Sequence, residues 1–239
     1  MTSDTIHVGY SLTRNLYPQL QVTIRSLLEH NDDLMIHIMA EDDELPFEIP
    51  CMHEILNMSE QRYFPMSNPN CKSQFSYMAM LRVAWPDMVA EDRMIQLDVD
   101  TIVCGSLRPA WEINLTGKWI AWCPEYNGQF RPFGPMYYNF GVAVLNLSQL
   151  HLDNAPEFMV RELNRFQYPF LDQDVMNRFA VPDKTVDLPV RFNECFCCGQ
   201  TENPAIVHYA GWPDWFTNPN IPRREYLEKY LEASHAEPV

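Results

Sequence analysis

The stretch Met94-Ile95-Gln96-Leu97-Asp98-Val99-Asp100 holds the residues of this 239-residue chain most suited to chemistry. Two carboxylates two residues apart, where an apolar strand stops, can offer oxygen ligands to one hard divalent cation. The competing reading is a plain acidic strand-to-loop turn, since Asp-x-Asp alone is common. His208, in Ile206-Val207-His208-Tyr209-Ala210-Gly211, also follows a short apolar strand and is the candidate third ligand, although a lone histidine is more often structural. Two more groups stand at element ends. Tyr138-Asn139-Phe140-Gly141 introduces the apolar run Val142-Ala143-Val144-Leu145, where an amide and bare glycine backbone can approach a ligand. Asp172-Gln173-Asp174 opens a helix, where an acid is a routine cap. Each is ordinary by itself. Their order along the chain is not.

The elements that must carry these residues alternate. Ile6-His7-Val8-Gly9-Tyr10 reads as a strand, and Tyr17, Leu20, Ile24, Leu27 and Leu28 then fall at helical spacing, with Pro18 tolerated in a first turn. A second strand covers 34–39, and the acidic run Glu41-Asp42-Asp43-Glu44 after it reads as a solvated loop. Residues 73–85 suit a helix ending before Pro86, and 94–97 and 142–147 are buried strands. Asp153 is placed to cap a helix whose apolar face is Ala155, Phe158, Met159, Leu163 and Phe166. A late strand at 205–207 and a final helix starting near Pro222 complete the series. The breaker-rich 124–135 is a loop, a candidate lid facing an acceptor. Strands alternating with helices predict an α/β sheet covered on both faces, with ligands beyond the strands' carboxyl ends.

Composition narrows the classes. Seventeen basic residues face 32 acidic ones, a formal net charge of −15 that argues against non-specific binding to nucleic acid or anionic lipid. Aromatic residues make up 13%, too many for a solvated disordered chain. No apolar run reaches the roughly 20 residues that span a bilayer, and the start shows no secretory signal, so the expected location is cytoplasmic. Seven cysteines, an odd number, fit that compartment better than a disulfide framework. The run Cys195-Phe196-Cys197-Cys198 reads as buried free thiols, because crowded thiols serve one tetrahedral zinc poorly and no second pair exists.

Taken in order, these segments resemble glycosyltransferase family 8, which includes glycogenin and bacterial lipopolysaccharide galactosyl- and glucosyltransferases. "VGYSLTRNLYPQLQVTIRSLLEHN" is similar to the family's nucleotide-binding strand, loop and first helix. "SYMAMLR" looks like its Ser-x5-Arg segment, "LDVDTIVCGSL" like its metal-binding segment, "YNFGVAVLNL" like its Asn-x-Gly strand, "DQDVMN" like its Asp-Gln-Asp helix, and "HYAG" like its His-x-x-Gly segment. The resemblance runs from about Ile6 to Trp215. It implies a single-domain GT-A fold, a Rossmann-like mixed sheet with helices on both faces, over 1–232, with a flexible tail over 233–239.

The resemblance also implies retaining transfer of glucose or galactose from a UDP-sugar, with Mn²⁺, or Mg²⁺ in its stead. By position, Asp98, Asp100 and His208 would hold the metal. Ser11, Thr13, Tyr17, Val99 and Gly211 would meet the nucleotide, Tyr17 stacking on uracil. Arg82, Asn139, Asp172 and Gln173 would surround the donor sugar, Gln173 and Asp172 serving catalysis. The acceptor is left open among a glycan, a lipid-linked sugar and a protein, with Tyr126, Phe130, Phe133, Tyr137, Trp212 and Trp215 as candidate stacking groups. Two departures stand out: His208-x-x-Gly211 is followed by Trp212-Pro213-Asp214-Trp215 rather than by the family's Lys-Pro-Trp, and Phe140 replaces a small residue. Arg223 or Arg224 could stand in for the lysine. Two alternatives remain: a non-catalytic nucleotide-sugar-binding protein of the same fold, and a haloacid-dehalogenase-like phosphatase, whose Asp-x-Asp-x-Thr/Val signature Asp98-Val99-Asp100-Thr101-Ile102 only partly meets.

Overall fold

The computed structural model describes residues 5–126 and 136–234. Parts of the 124–135 loop, including Phe130 and Phe133, and the tail from 235 onward lie outside the described residues.

Among the described residues, nine strands and eight α-helices alternate. The first three strands, β1 (Ile6–Ser11), β2 (Leu34–Ala40) and β3 (Met52–Asn57), are parallel, and helix α1 (Tyr17–His30) connects the first two. Strand β4 (Arg93–Leu97) adds parallel to β1 and antiparallel to β7 (Tyr138–Asn146). With β6 (Ile120–Pro124) and β8 (Thr185–Asp187) the main sheet runs β3-β2-β1-β4-β7-β6-β8. A separate two-stranded ribbon joins β5 (Thr101–Val103) to β9 (Ile206–His208). The sheet changes from parallel to antiparallel beyond β4, so Asp98 follows the carboxyl end of the strand at the switch.

Alternating side chains divide the sheet's two faces. Val8, Tyr10, Ile36, Ile38, Ile95, Leu97, Val142 and Val144 form one core with Leu20, Ile24 and Leu27 of α1. Met94, Ile120, Trp122, Tyr138, Phe140, Ala143 and Leu145 form the other. That second core is covered by α2 (Tyr77–Leu81), α3 (Trp85–Met88), α5 (Leu147–Leu152), α6 (Ala155–Arg165) and α7 (Leu171–Ala180). The remaining helices are α4 (Arg108–Trp111), on the first face, and α8 (Arg224–Ser234). The expected α/β sheet with helices on both faces is observed, and the sheet is mixed.

Three local expectations need correction. The helix expected over 73–85 is divided. It starts after Ser76, whose Oγ accepts from the Met78 N–H at 3.1 Å, tightens to a 3-10 turn at Arg82–Ala84, and resumes as α3. Pro86 does not end it, because a proline in a first helical turn forfeits no hydrogen bond. Asp153 caps nothing: its carboxylate accepts from Trp119 Nε1 and Lys184 Nζ, both at 2.6 Å, and from Gln149 Nε2 at 3.0 Å. Asn154 precedes α6 with φ 53 and no side-chain cap. The run after β2 is no free loop either. Glu41 accepts from the Arg14 N–H (3.0 Å) and Tyr77 OH (3.2 Å), and Asp42 from Tyr17 OH (2.9 Å), fastening the start of α1.

Candidate active site

Two pairings assemble the acidic centre. Leu97 of β4 pairs with Val142 of β7, and the Asp98 N–H donates to the Gly141 carbonyl at 2.7 Å, so Asp98 stands beside Gly141. Thr101 of β5 pairs with His208 of β9, and the Tyr209 N–H donates to the Asp100 carbonyl at 2.8 Å, so Asp100 faces the histidine. His208 Nε2 lies 3.3 Å from Asp100 Oδ1 and 4.0 Å from Asp98 Oδ2. One ligand atom from each residue falls within 4.8 Å of the other two. Two carboxylates and an imidazole suit Mn²⁺, and Mg²⁺ less well for the nitrogen.

Gly141 makes this approach possible. A Cβ there would fall 2.7 Å from His208 Nε2, 2.9 Å from Asp98 Oδ2 and closer still to His208 Cε1. No other residue type leaves that space open. The far ring nitrogen of His208 is held as well: Nδ1 lies 2.8 Å from Asn193 Oδ1, and Asn193 Nδ2 donates to Asn139 Oδ1 at 2.9 Å. Burial opposes protonation of His208, but Asp100 beside it holds the imidazole well above its ordinary value. A cation bound here must therefore displace a proton.

Arg82, in the 3-10 turn, bridges the acidic centre to α7. Its Nε and NH2 donate to Asp172 at 2.6 and 3.0 Å, its NH1 donates to Asp98, and its guanidinium covers the Phe140 ring at 4.9 Å. Burial works against the guanidinium's charge, but Asp172 and then Asp98 outweigh it and keep Arg82 firmly ionised. Burial pushes the Asp172 carboxyl up to about 6, with Arg82 pulling the other way. Burial also raises Asp98, as does Asp100, against Arg82; a third of its side chain is exposed, so water moderates the effect. Gln96, fully buried, donates to Asp98 Oδ1 at 3.2 Å and accepts from Trp85 Nε1 at 3.1 Å, fixing the carboxylate from below.

Gln173 is equally constrained. Its Oε1 accepts from the Phe140 N–H at 2.9 Å, and its Nε2 donates to Tyr137 OH at 3.1 Å and to Glu125 Oε1 at 3.4 Å. Asn139 is buried in β7: its Oδ1 also accepts from the Gly141 N–H, and its Nδ2 donates to Glu125 and to Cys197 Sγ. The expected donor-sugar group, Arg82, Asn139, Asp172 and Gln173, thus converges around Phe140, with Asn139 turned inward. Asp172 and Asp174 sit within the first turn of α7 and are not caps in the usual sense; Asp172 is spent on Arg82, while Asp174 accepts from the Phe170 N–H at 2.8 Å.

The expected nucleotide group is more dispersed. Ser11 ends β1 and donates to the Met78 carbonyl at 2.6 Å, Thr13 donates to Asn15 at 2.5 Å, and Tyr17 is buried with its hydroxyl on Asp42. Burial, then Asp42, pushes Tyr17 up to about 12. Val99 is half-buried and its carbonyl accepts from Thr23 Oγ1 at 2.9 Å; Gly211, with φ 81, turns the chain after β9. Neither proposed substitute for the missing lysine is free. Arg223 donates to Glu194 and to the Thr201 carbonyl, and Arg224 to Glu228 and the carbonyls of Phe216 and Asn218. Of the candidate stacking groups, Tyr137 and Trp215 are buried, Trp215 stacked on Tyr209, whereas Tyr126 is exposed.

Glu125 and Asn193 escaped the sequence reading. Glu125 follows β6 as Asp98 follows β4, which is a usable signal. Its side chain is buried, Oε2 has no hydrogen-bond partner among the described residues, and burial lifts the carboxyl to about 7 against the pull of Asn139. Asn193, in an irregular segment between Phe192 and Glu194, carries no such mark.

The topology is that of a GT-A fold. LgtC, solved as an active-site mutant, superimposes with a TM-score of 0.71 at 17% identity, covering 95% of this chain and 96% of that one. LgtC described as a galactosyltransferase in complex with donor and acceptor sugar analogs gives 0.69 at 16% identity, covering 98% and 97%. The family model Glycosyl transferase family 8 matches residues 7–215, and the chain belongs to that family. Glycosyltransferase GlyD of Streptococcus pneumoniae is 26% identical over 217 residues, 84% of this chain and 25% of the relative. GlyA of the same organism is 24% identical, over 82% of this chain and 31% of its own length. This chain therefore spans about a quarter to a third of those two curated relatives. The phosphatase alternative is left with no support from this topology or family. Among the described residues no helix is long and apolar enough to cross a membrane.

Proposed function

We propose that this glycosyltransferase-family domain moves a hexose, glucose or galactose, from a UDP-sugar to an acceptor with retention of anomeric configuration, using Mn²⁺ held by Asp98, Asp100 and His208. The observation that carries the reading is the convergence of those three side chains around Gly141 at the sheet's switch point. When bound, the cation supplies Lewis-acid stabilisation to the charge developing on the departing diphosphate.

The protein's own groups do the rest. Arg82, kept ionised by Asp172 and Asp98, adds a fixed positive charge beneath the donor. Asp172 accepts from sugar hydroxyls with whatever lone pairs Arg82 leaves. Gln173 is neutral, and its oxygen already accepts from the Phe140 N–H, so it serves as an orienting dipole beside the oxocarbenium-like centre rather than as a nucleophile. Same-face substitution follows, in which the acceptor attacks from the side the diphosphate leaves. A glycosyl adduct trapped covalently on any side chain would refute that step. Ser11, Thr13, Val99 and Gly211 frame the nucleotide, with the Tyr17 ring against the base. Tyr126, exposed beyond β6, is the aromatic surface offered to an acceptor.

With no lysine after Gly211 and both arginines engaged, the diphosphate must lean on the cation. UDP binding should therefore need the metal strictly, and appreciable UDP affinity in chelator would count against this reading. The deciding experiment is a donor panel that measures UDP release with and without Mn²⁺, in the wild type and in Asp100→Asn. Release should require Mn²⁺ and vanish in the variant. UDP binding without release from any common donor would favour a nucleotide-sugar-binding protein instead.

A further inference from the structure

A second cluster of metal-ligating groups adjoins the acidic centre, with Cys195 beside His208. The chain reverses tightly at Cys195-Phe196-Cys197-Cys198-Gly199. Cys195 and Gly199 form an antiparallel bridge, the Gly199 N–H donates to the Cys195 carbonyl at 3.0 Å, and Gly199 takes φ 114, a conformation glycine tolerates. The thiols are crowded, yet Cys195 and Cys198 stand at a Cys-x-x-Cys spacing, with the glycine directly after. The Cys198 N–H donates to Cys195 Sγ at 3.3 Å, a bond that steadies a thiolate ligand.

The turn is organised around its sulfurs. Cys195, Cys197 and Cys198 are buried, while Phe196, the most apolar member, is 60% exposed. Buried free cysteines are ordinary, and the exposed phenylalanine is what departs from apolar burial. Cys195 Sγ and Cys197 Sγ are 3.2 Å apart, and the three sulfurs lie within 4.8 Å of one another. Those separations bracket the roughly 3.8 Å between ligands of a tetrahedral ion with Zn–S bonds of ~2.3 Å. Cys123, near the end of β6, is buried in the same cluster, and the Cys198 thiol donates to its carbonyl at 3.8 Å. A surface groove lined by Pro124, Tyr126, Asp187, Pro189 and Gly199 reaches Cys198 and gives an ion a way in.

We propose that Cys195, Cys197 and Cys198, with Cys123 packed beside them, form a binding site for a soft thiophilic ion of the zinc class. Thiolates select such an ion, while the carboxylate-imidazole centre selects a harder one, so the two sites are chemically distinct. The thiolate site braces the acidic one. Cys197 Sγ accepts from Asn139 Nδ2 at 3.6 Å, and Asn139 leads through Asn193 to His208.

Cobalt tests this, because only sulfur ligation gives a thiolate-to-cobalt charge-transfer band and the acidic centre stays silent. Reduced, chelator-stripped protein titrated anaerobically with Co²⁺ should develop the band, saturate at one equivalent, and lose it to added Zn²⁺. Cys195→Ser and Cys198→Ser should abolish the band and weaken Zn²⁺ binding by at least the roughly 10–100-fold that losing an outer-shell partner costs. Cys71→Ser, outside the turn, should change nothing. Absence of the band at saturating Co²⁺, or its survival in both turn variants, would overturn the proposal. Should the variants not fold, alkylation of the wild type decides. Zinc must protect the turn cysteines and chelator must undo that protection, whereas protection undone only by a reductant means a disulfide and also overturns the proposal.

Discussion

Gly141→Ala is the smallest perturbation aimed at the acidic centre, since it adds one methyl group where the structure leaves no room. The new Cβ would lie 2.7 Å from His208 Nε2 and 2.9 Å from Asp98 Oδ2, against the 3.4 Å at which ordinary contact begins. Neither neighbour can yield freely. His208 is buried and tied to Asn193, and Asp98 is held by Gln96 and Arg82. Relief therefore requires the imidazole and carboxylate to separate by at least about 0.7 and 0.5 Å, or β7 to move away from β4. Metal bonds tolerate only about ±0.2 Å, so the donor set should lose one ligand. Overpacking should cost about 1–3 kcal/mol of stability and leave the chain folded. Mn²⁺ affinity, read from the free-ion signal in electron paramagnetic resonance, should fall by at least about tenfold while circular dichroism stays native. Unchanged Mn²⁺ affinity in a folded Gly141→Ala protein would refute the placement of the cation between Asp98 and His208.

Asn193→Ala removes the partner of His208 Nδ1 and should weaken Mn²⁺ binding by about 10–100-fold with little change in fold, measured by the same titration. Asp172→Ala leaves Arg82 buried with only Asp98, and should destabilise by about 3–5 kcal/mol in urea denaturation; a loss below ~1 kcal/mol would show the pair to be solvated. Glu125→Gln should act with pH. Burial lifts the Glu125 carboxyl from 4.5 to about 7, so the wild type carries no penalty below pH 4.5, loses stability as pH rises between the two values, and bears the full penalty above pH 7. The amide escapes that penalty, so the variant should gain up to about 3 kcal/mol over wild type at pH 8 and nothing at pH 4, by denaturation at both.

What the sequence made legible follows from how each residue is held. Asp98, Asp100 and His208 were readable because they follow apolar strands, and a strand's end is visible in hydrophobic patterning. Gly141 and Asn139 were readable because they precede such an apolar run. Strands β3, β5, β6 and β8 were not: β3 alternates weakly and is largely exposed, β6 is a short apolar run without alternation, and β5 and β8 have three residues each, too few to show a period. Asn193 was invisible because an asparagine between elements is usually a turn residue, and only the fold brings it to His208. Tyr137 and Trp215 show the converse ambiguity, since core packing and sugar stacking are equally open for each from sequence, and both are buried. An aromatic residue near a glycine- and proline-rich loop suggests a stacking surface, but both were needed to fill the core.

The acidity of the chain acquires a structural explanation in the same residues. Among the described residues, Arg82 is committed to Asp172 and Asp98, Arg223 to Glu194, and Arg224 to Glu228 and two carbonyls. An anionic donor arriving here meets charges that are paired, so the field it feels is set by what binds between Asp98, Asp100 and His208. Without a metal ion, Asp98, Asp100 and Asp172 outnumber Arg82 and the protonated His208, and the remaining negative charge repels a diphosphate. With one, the same carboxylates become the reason it docks. Metal and donor should accordingly bind with positive coupling, each raising the other's affinity by the same factor. The coupling must disappear in Asp100→Asn if the carboxylates are its origin, and persist if Arg82 supplies it.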